Sequence, residues 1–256
     1  MEGIFIVGYW NSGTTLLTDV LRKHPKLSLK KGRFLPNLEE RSTQKLMRKE
    51  GSDFFDFGDY SDVINNKFKN YPQPDWDATK IKSFQKGFRR IFETRNSKIL
   101  LLKNPWLFFY EEWINRIFSN DAIKKIVILR NGYSQAVSKD YWLKSEQEPK
   151  EELEARTKFW KIAIERYFET WHNDPDCLTI RYENLCTNPE ETIKEVCDFC
   201  SIDYASISKK IPDAFENRMT RWQELDPDLK SIVIKELRNI QLKMDKNFPL
   251  IKPLQY

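Results

Sequence analysis

Apolar residues occur along this chain in two patterns, as short consecutive runs and as longer stretches with helical spacing. The short runs, rich in Ile, Val and Leu, predict strands at 4–7, 98–102, 125–129 and 178–181. The longer stretches predict helices at 14–23, 106–118, 132–144, 150–172 and 227–244, and another that starts at Pro189 with Asn188 as its N-cap. Because strands alternate with helices, we predict an α/β fold with three layers, a parallel sheet of about five strands with helices on both faces.

The regular pattern weakens between about residues 30 and 97. Clusters of Asp, Asn, Pro and Gly separate two helical stretches there, near 38–49 and 79–94. We predict that this region is an insertion on the rim of the sheet. The chain has 256 residues, 40% of them hydrophobic, which suffices for one core, and it has no internal repeat. Residues 1–256 are therefore predicted to form a single domain.

Charged residues are dense but interleaved in sign. The 43 Lys and Arg residues outnumber the 38 Asp and Glu residues by only +5, and no arm of the chain collects the basic charge. This distribution permits an anionic ligand and predicts no nucleic-acid partner. The apolar runs are far shorter than the roughly 20 residues of a membrane span, and the first strand begins too early for a signal peptide. We therefore expect no membrane span and a cytoplasmic location.

The chain has 4 cysteines, all in its last third. Cys197 and Cys200 are spaced to share one apolar face of a predicted helix. A zinc site would need two more ligands, and Cys177 and Cys186 lack the paired spacing of metal ligands. We interpret the cysteines as core residues and predict no metal site.

The strongest chemical signal is the segment Gly8-Tyr-Trp-Asn-Ser-Gly-Thr-Thr15, between the first predicted strand and the first predicted helix. Its two glycines let backbone N–H groups turn inward, and the helix adds its positive end, so the segment predicts a loop that binds phosphate or sulfate. The alternative is a glycine-containing turn without a functional role. The spacing equals that of a nucleoside-triphosphatase P-loop, but Thr14 stands where that loop has lysine. A triphosphate would lose the cation that bridges its outer phosphates.

A second candidate cluster follows the predicted strand 125–129. Arg130 comes directly after the strand, where ligands of parallel sheets gather, and Ser138 lies on the next predicted helix. Together these two side chains suit one phosphate group. Taken alone, Arg130 is equally consistent with a solvated charge. The neighbouring loop favours the binding interpretation.

These clusters, together with further segments, resemble the P-loop-related sulfotransferases. The further segments are His24-Pro25, Arg181-Tyr-Glu-Asn-Leu and Asn188-Pro-Glu. Lys103-Asn-Pro and Arg221-Trp resemble more narrowly the tyrosylprotein and glycan-type sulfotransferases. The resemblance covers residues 4–25, 99–142 and 178–225.

The resemblance implies a donor, a product and a role for each matching residue. The donor would be 3'-phosphoadenosine 5'-phosphosulfate (PAPS), the product 3'-phosphoadenosine 5'-phosphate (PAP), and no metal ion would take part. The acceptor would be a hydroxyl of a glycan, a tyrosine or a small molecule. Lys103 would stabilise the transferring sulfuryl group. The donor-binding residues would be Ser12, Gly13, Thr14 and Thr15 at the 5'-phosphosulfate, Arg130 and Ser138 at the 3'-phosphate, and Tyr182 and Arg221 around the nucleotide.

Two positions depart from the family pattern. The family usually has Arg or Lys directly before Ser-Gly-Thr-Thr, and here Asn11 offers a hydrogen-bond donor without charge. The tyrosylprotein branch has a glutamate base shortly after its His-Pro, where this chain reads Leu-Lys-Lys-Gly-Arg at 29–33. Glu39 or Glu40 is the nearest carboxylate after that point and the candidate for the base. The alternative is that it is an exposed surface residue without a catalytic role. The candidate catalytic residues are thus Lys103, Asn11 and Glu39.

Several alternatives stay open at the level of sequence. The basic side chains within 30–33 either favour an anionic acceptor or form a solvated loop, and Tyr9 and Trp10 either stack on the acceptor or pack the rim. A P-loop nucleotide kinase would require magnesium and ATP. A catalytically inactive protein that binds PAPS or PAP on the same fold is consistent with Asn11 and the missing base.

Overall fold

The computed structural model of this protein describes residues 2–28, 76–92, 99–138, 149–215 and 221–251. The strands in these ranges are β1 (Glu2–Gly8), β2 (Leu27–Ser28), β3 (Ile99–Lys103), β4 (Ala122–Leu129) and β5 (Cys177–Arg181). They form one parallel sheet in the order β2-β3-β1-β4-β5, in which β2 is a two-residue edge strand. The sheet therefore has the predicted parallel arrangement and about the predicted size.

Helices connect and flank the strands. The α-helices of the described ranges are α1 (Thr14–Leu21), α2 (Ala78–Phe92), α3 (Glu111–Ile117), α4 (Gly132–Ala136), α5 (Pro149–Glu169), α6 (Tyr182–Thr187), α7 (Pro189–Phe199) and α8 (Pro227–Asn247). Short 3-10 helices occur at Pro105–Phe109, Trp171–Asn173, Tyr204–Ser206, Ser208–Lys210 and Arg221–Glu224. No helix of the described ranges combines the length and the apolar character needed to cross a membrane.

The sheet is buried on both faces. Along β1, Ile4 and Ile6 pack into one hydrophobic core, whereas Phe5 and Val7 pack into the other, because successive side chains of a strand point to opposite faces. The first core includes side chains from α1 and α7, and the second includes side chains from α2, α3, α5 and α8. Helices thus cover both faces, and the predicted three-layer α/β fold is confirmed.

The aromatic side chains of α5 belong to the second core, as predicted. Phe159, Trp160 and Tyr167 are fully buried, and each such side chain contributes about 1.5–3 kcal/mol relative to exposure. Two polar groups at this core have partners: the Tyr167 hydroxyl lies 2.8 Å from the Thr179 hydroxyl, and the Trp171 indole N–H donates to the carbonyl of Phe108 at 2.8 Å. Satisfied polar groups avoid the cost of burying an unpaired donor.

Several helix boundaries differ from the prediction. The predicted helix 106–118 is a 3-10 helix followed by α3, with the break at Tyr110 (φ −128°, ψ 37°). The side chains from Leu107 to Tyr110 are all buried, which one helix face cannot achieve for consecutive residues. The predicted helix 132–144 ends at Ala136, and residues 139–148 lie outside the described ranges. The predicted helix 150–172 stops at Glu169 before a separate 3-10 turn.

Two further local features were only partly anticipated. Helix α6 follows β5 without a loop, although the sequence pattern did not predict it. Asn188 holds the predicted N-cap position of α7 and Pro189 its first turn, but the Asn188 amide donates to the Thr187 hydroxyl at 2.9 Å instead of capping the helix. The helix start was therefore correct and its capping interaction wrong.

The region predicted as a rim insertion is described only in part. Helix α2 corresponds to the predicted helical stretch 79–94. Residues 29–75 and 93–98, which include the predicted helix 38–49, the basic segment 30–33 and Glu39, lie outside the described ranges. The insertion and the single-domain organisation stay predictions.

All four cysteines are free thiols, and Cys186, Cys197 and Cys200 are buried, as the core interpretation predicted. Burial raises the pKa of the Cys197 thiol to about 11 and that of Cys200 to about 12. At neutral pH these thiols are protonated, which makes them poor nucleophiles. Within the described ranges no group of three or more His, Cys, Asp or Glu side chains could hold a metal ion.

Candidate active site

The strand order brings three chain segments together at one edge of the sheet. Strand β1 pairs with β3 on one side and with β4 on the other, all in parallel. The loop after β1 (residues 8–13, hereafter the glycine loop) therefore lies between the carboxyl ends of β3 and β4. In open parallel sheets this crevice is the usual ligand site. The predicted Lys103 and Arg130 stand at the ends of these two flanking strands.

The glycine loop needs both of its glycines. A Cβ on Gly8 would lie 2.5 Å from the Ser12 hydroxyl and 2.9 Å from the carbonyl of Ile128. Gly13 has φ +99°, a left-handed conformation, and a Cβ there would lie 2.5 Å from the ring of Tyr182. Asn11 also has positive φ, 56°, which asparagine tolerates better than most residues. The loop thus combines close backbone packing with two left-handed residues.

Helix α1 begins directly after Gly13 and receives no side-chain cap there. The first N–H groups of such a helix have no intrahelical partner and carry the positive end of the helix dipole. Thr14 is buried and Thr15 is half-buried beside them. This helix start can therefore receive an anion through backbone N–H groups and a threonine hydroxyl.

Ser12 has a different position from its two threonine neighbours. Its backbone N–H donates to the carbonyl of Tyr9 at 3.1 Å, which closes a turn within the loop. Its side chain is fully buried, and its hydroxyl has no hydrogen-bond partner among the described residues. Ser12 stays a predicted donor-binding residue, but its N–H is used by the loop itself.

Arg130 connects the glycine loop to the segment after β4. Its guanidinium donates to the carbonyl of Asn11 at 2.8 Å and to the Ser138 hydroxyl at 3.2 Å. The guanidinium also lies over the Tyr182 ring, 4.6 Å from its centroid, a cation–π arrangement. Only 7% of Arg130 is exposed. The solvated-charge alternative for Arg130 is therefore wrong in this structure, and Arg130, Ser138 and Tyr182 are brought together as predicted.

Tyr182 forms one wall of this arrangement. Its ring packs against Gly13 on one side and the Arg130 guanidinium on the other. Burial raises the pKa of its hydroxyl well above the usual value, with a smaller contribution from Cys186. Tyr182 therefore carries no negative charge near neutral pH that would oppose an anion beside Arg130.

Lys103 lies on the opposite side of the glycine loop. It is the last residue of β3 and is 5% exposed, and its ammonium lies 3.5 Å from the Thr15 hydroxyl. The next residue, Asn104, donates its backbone N–H to the carbonyl of Ile6 at 3.1 Å, which fixes the end of β3 against β1. Buried cations thus lie on both flanks of the loop, at the ends of its two neighbouring strands.

Other predicted residues are less directly connected to the loop. Arg221 is exposed, at the start of a 3-10 helix whose Trp222 ring packs against Tyr133 of α4, with ring centroids 5.0 Å apart. Asn11 is exposed at the tip of the loop. Tyr9 and Trp10 are buried against Phe159, so their side chains pack the core instead of presenting a stacking surface. Glu39 lies outside the described ranges.

His24 has a structural role at the end of α1. Its ring is buried, and its Nδ1 accepts the backbone N–H of Lys26 at 3.1 Å just after α1. Burial lowers the pKa of its imidazole below the usual value, against an opposing effect of Asp203. His24 is thus a neutral, buried residue of the turn that follows α1.

Sequence reasoning missed several polar residues that support the Arg130 segment. The Glu183 carboxylate accepts the backbone N–H of Asn131 at 2.7 Å, and the Gln241 side-chain carbonyl accepts the N–H of Gly132 at 2.8 Å. The Gln135 amide donates to the carbonyl of Trp10, which joins α4 to the glycine loop. Glu183 lies in the recognised Arg-Tyr-Glu segment, so its position carried a signal. Gln241 stands on a helix of mixed polar sequence and carried none.

Comparison with known proteins agrees with this geometry. Residues 3–206 match the model of the Sulfotransferase family. No curated protein matches the chain significantly.

Solved structures share the fold at low sequence identity. The sulfotransferase domain from the curacin biosynthetic pathway matches with a TM-score of 0.55 and 19% identity, covering 98% of this chain and 99% of that chain. A sulfotransferase from Alicyclobacillus acidocaldarius matches with 0.58 and 14%, covering 98% and 97%. Mouse sulfotransferase SULT7A1, solved in complex with PAP, matches with 0.54 and 16%, covering 96% and 88%. The glycine loop, the two flanking cations and the match over residues 3–206 lead to one conclusion: the chain belongs to the Sulfotransferase family.

Proposed function

We propose that this protein transfers a sulfuryl group from PAPS to an acceptor hydroxyl by in-line displacement and releases PAP. The observation that carries the proposal is the pair of buried cations on opposite flanks of the glycine loop: Lys103 beside Thr15, and Arg130 bonded to Asn11 and Ser138. A nucleotide with a phosphosulfate at one end and a phosphate at its 3' position presents two anionic groups that suit two such cations. Family membership supports the same reaction class.

In this proposal the loop and the start of α1 bind the 5' end of the donor. The Tyr182 ring fills the space where a Cβ on residue 13 would lie, so only glycine lets the loop pack against that ring. Backbone N–H groups of Gly13, Thr14 and Thr15 at the helix start bind the phosphosulfate oxygens. Arg130 and Ser138 bind the 3'-phosphate, and Tyr182 and Arg221 line the nucleotide. The donor itself supplies the sulfuryl group.

Lys103 is the proposed electrostatic catalyst. During transfer, negative charge develops on the oxygen that leaves with the nucleotide, and an ammonium held near that oxygen stabilises the transition state. The burial of Lys103 strengthens this effect, because the effective dielectric constant is lower than in water. Asn11 adds an amide donor from the loop tip, and Glu39 is the proposed base for the acceptor hydroxyl.

The proposed acceptor is a hydroxyl of a glycan, a tyrosine or a small molecule. A nucleotide kinase is the less favoured alternative, because Thr14 stands at the loop position where such an enzyme needs a lysine. The two functions differ in their cofactor needs. The sulfotransferase is expected to work in the presence of a magnesium chelator, and the kinase is expected to fail.

The experiment that tests the donor is calorimetric titration of the purified protein with PAP, run beside ATP with magnesium. The proposal expects binding of PAP with a Kd on the order of micromolar, about −8 kcal/mol, and no detectable binding of ATP. Binding of ATP without binding of PAP would favour the nucleotide-kinase alternative. Binding of neither nucleotide would contradict the proposed donor.

A catalytically inactive nucleotide-binding protein is the second candidate, and Asn11 is the observation that favours it. The family usually has a cation at this position, and here an exposed amide stands there. Without that charge, Lys103 is the proposed cation that stabilises the transition state. An inactive protein would still bind PAP, so the calorimetric experiment does not separate these two candidates.

The substitution Asn11→Arg separates them. If the natural protein is an active enzyme adapted to asparagine, the turnover of Asn11→Arg is expected to lie within about tenfold of the natural value. The added cation is offset in part by about 1 kcal/mol of strain, because residue 11 has a left-handed conformation. Transfer of radiolabelled sulfate from PAPS to a panel of hydroxyl acceptors measures the effect. Asn11→Met is the control for side-chain size, because methionine is also long and unbranched but carries no charge. Turnover that appears only in Asn11→Arg would favour the inactive candidate for the natural chain.

A further inference from the structure

A closed ring of hydrogen bonds lies beneath the segment that carries Arg130. It begins at the backbone N–H of Asn131, which donates to one oxygen of Glu183 at 2.7 Å. The other Glu183 oxygen accepts from Arg181 Nε at 2.9 Å, and Arg181 also donates to Asp245 at 2.8 Å. The ring continues onto α8 through Asp245 and Gln241.

Two bonds close the ring. The Gln241 amide N–H donates to Asp245 at 2.8 Å, and the Gln241 carbonyl accepts the backbone N–H of Gly132 at 2.8 Å. The ring thus starts and ends on two consecutive backbone amides, those of Asn131 and Gly132. The first amide belongs to the peptide that joins Arg130 to Asn131 and the second to the next peptide, so the ring fixes the backbone directly after Arg130.

The ring is charged, and its side chains other than Asp245 are buried. The side chains of Arg181 and Glu183 are each 1% exposed and that of Asp245 is 45% exposed, while Gln241 is 3% exposed as a residue. Hydrogen bonds to charged groups in such surroundings are stronger and more directional than those in water. The Arg181 side chain also donates to the carbonyl of Phe248 at 3.0 Å, so Arg181 at the end of β5 holds the C-terminal end of α8 at two points, Asp245 and Phe248.

Packing restricts the same segment from the other side. A Cβ on Gly132 would lie 2.7 Å from the Trp160 ring of α5 and 2.9 Å from Leu237 of α8. Asn131 in turn accepts the N–H of Ser134 at 3.1 Å and caps α4. The backbone after Arg130 therefore has one position, set by α5 and α8 together.

We infer that Gln241 and Asp245, on the C-terminal helix α8, are positioning residues for the recognition of the donor 3'-phosphate by Arg130. The inference rests on the proposed function. The family match ends at residue 206, so these two side chains lie outside the part of the chain that the family model covers. Gln241 contacts the Arg130 segment through the Gly132 amide, and Asp245 is linked to the segment through Arg181 and Glu183.

The test compares PAP with adenosine 5'-monophosphate, which differ only in the 3'-phosphate. Gln241→Leu removes the acceptor of the Gly132 N–H at nearly constant volume. We expect the Kd for PAP to rise by about tenfold and the Kd for the monophosphate by no more than about twofold, since Arg130 contacts the 3'-phosphate directly and affects the rest of the nucleotide only through the glycine loop. Asn239→Leu, the same change at an exposed position of α8, is the matched control and is expected to leave both values unchanged.

Asp245→Asn gives a second, gentler test that keeps an acceptor oxygen for Arg181 and Gln241 but removes the charge. Its expected effect is a rise of about threefold in the Kd for PAP alone. Thermal unfolding of each variant checks that it folds. The inference would be overturned if the ratio of the Kd for PAP to the Kd for the monophosphate stayed unchanged in these variants, whether or not both nucleotides bound more weakly. A natural protein that binds no PAP would instead overturn the proposed function, and the inference with it.

Discussion

Replacing Lys103 with alanine is expected to reduce sulfuryl transfer by about a hundred- to a thousandfold, the loss typical of removing one preorganised electrostatic group. The ammonium lies 3.5 Å from the Thr15 hydroxyl and is buried, so water replaces it poorly. Because the charge that it stabilises develops only in the transition state, the Kd for PAP is expected to stay within about threefold of the natural value. Initial rates of transfer and calorimetry with PAP measure the two effects separately.

Two companion variants sharpen this prediction. Lys103→Met keeps the aliphatic stem in the sheet and should be as inactive as the alanine variant, which excludes a packing effect. Lys124→Ala removes a partly exposed lysine of β4 that pairs with Asp176 at 2.8 Å, and it should retain full activity. Near-natural turnover in Lys103→Ala would remove this lysine from the mechanism, and an equal loss of PAP affinity would assign it to binding instead.

Replacing Arg130 with alanine is expected to weaken PAP binding by about 10- to 100-fold, the range for hydrogen bonds to a charged group. Binding of adenosine 5'-monophosphate should fall much less, because that ligand lacks the 3'-phosphate. A small loss for the monophosphate is still expected, since the guanidinium also holds the carbonyl of Asn11 at 2.8 Å. Calorimetric titration of Arg130→Ala and of the unsubstituted protein with each nucleotide measures the two losses of affinity, and their ratio tests the prediction.

Two control variants accompany Arg130→Ala: one removes a different arginine, and the other keeps the positive charge at position 130. Arg89→Ala removes an exposed guanidinium that pairs with Asp121 and should change neither Kd. Arg130→Lys keeps the charge but loses the planar fork, so an intermediate loss of PAP affinity is expected. If both nucleotides weaken equally in Arg130→Ala, this arginine maintains the loop and does not read the 3'-phosphate.

The sequence predicted the glycine loop and its place between a strand and a helix, because these elements are local. Glycines at 8 and 13, a strand before them and a helix after them are adjacent in the chain, and their geometry follows from steric rules. Arg130 was harder, since its burial depends on Tyr182 and Asn11, which lie far away in sequence. Parallel strand ends supplied the clue that they would meet.

The supporting polar residues could not be predicted from the sequence. Gln241 contacts Gly132 across 109 residues, and nothing in the composition of α8 distinguishes this amide from its solvated neighbours. Helix boundaries failed where burial overrides periodicity, as at Tyr110, whose side chain and those before it are all inside the core. In both cases tertiary contacts decide the outcome, and single-sequence patterns contain no record of them.

The bond between Arg130 and the glycine loop ends on a main-chain atom, the carbonyl oxygen of Asn11. Every amino acid offers that atom, so the anchor is indifferent to the side chain at position 11, which points into solvent at the loop tip. Substitutions there cost about 1 kcal/mol of backbone strain, but the hydrogen bond from Arg130 keeps its acceptor. The side chain at position 11 can therefore vary while the link between the glycine loop and the end of β4 is retained.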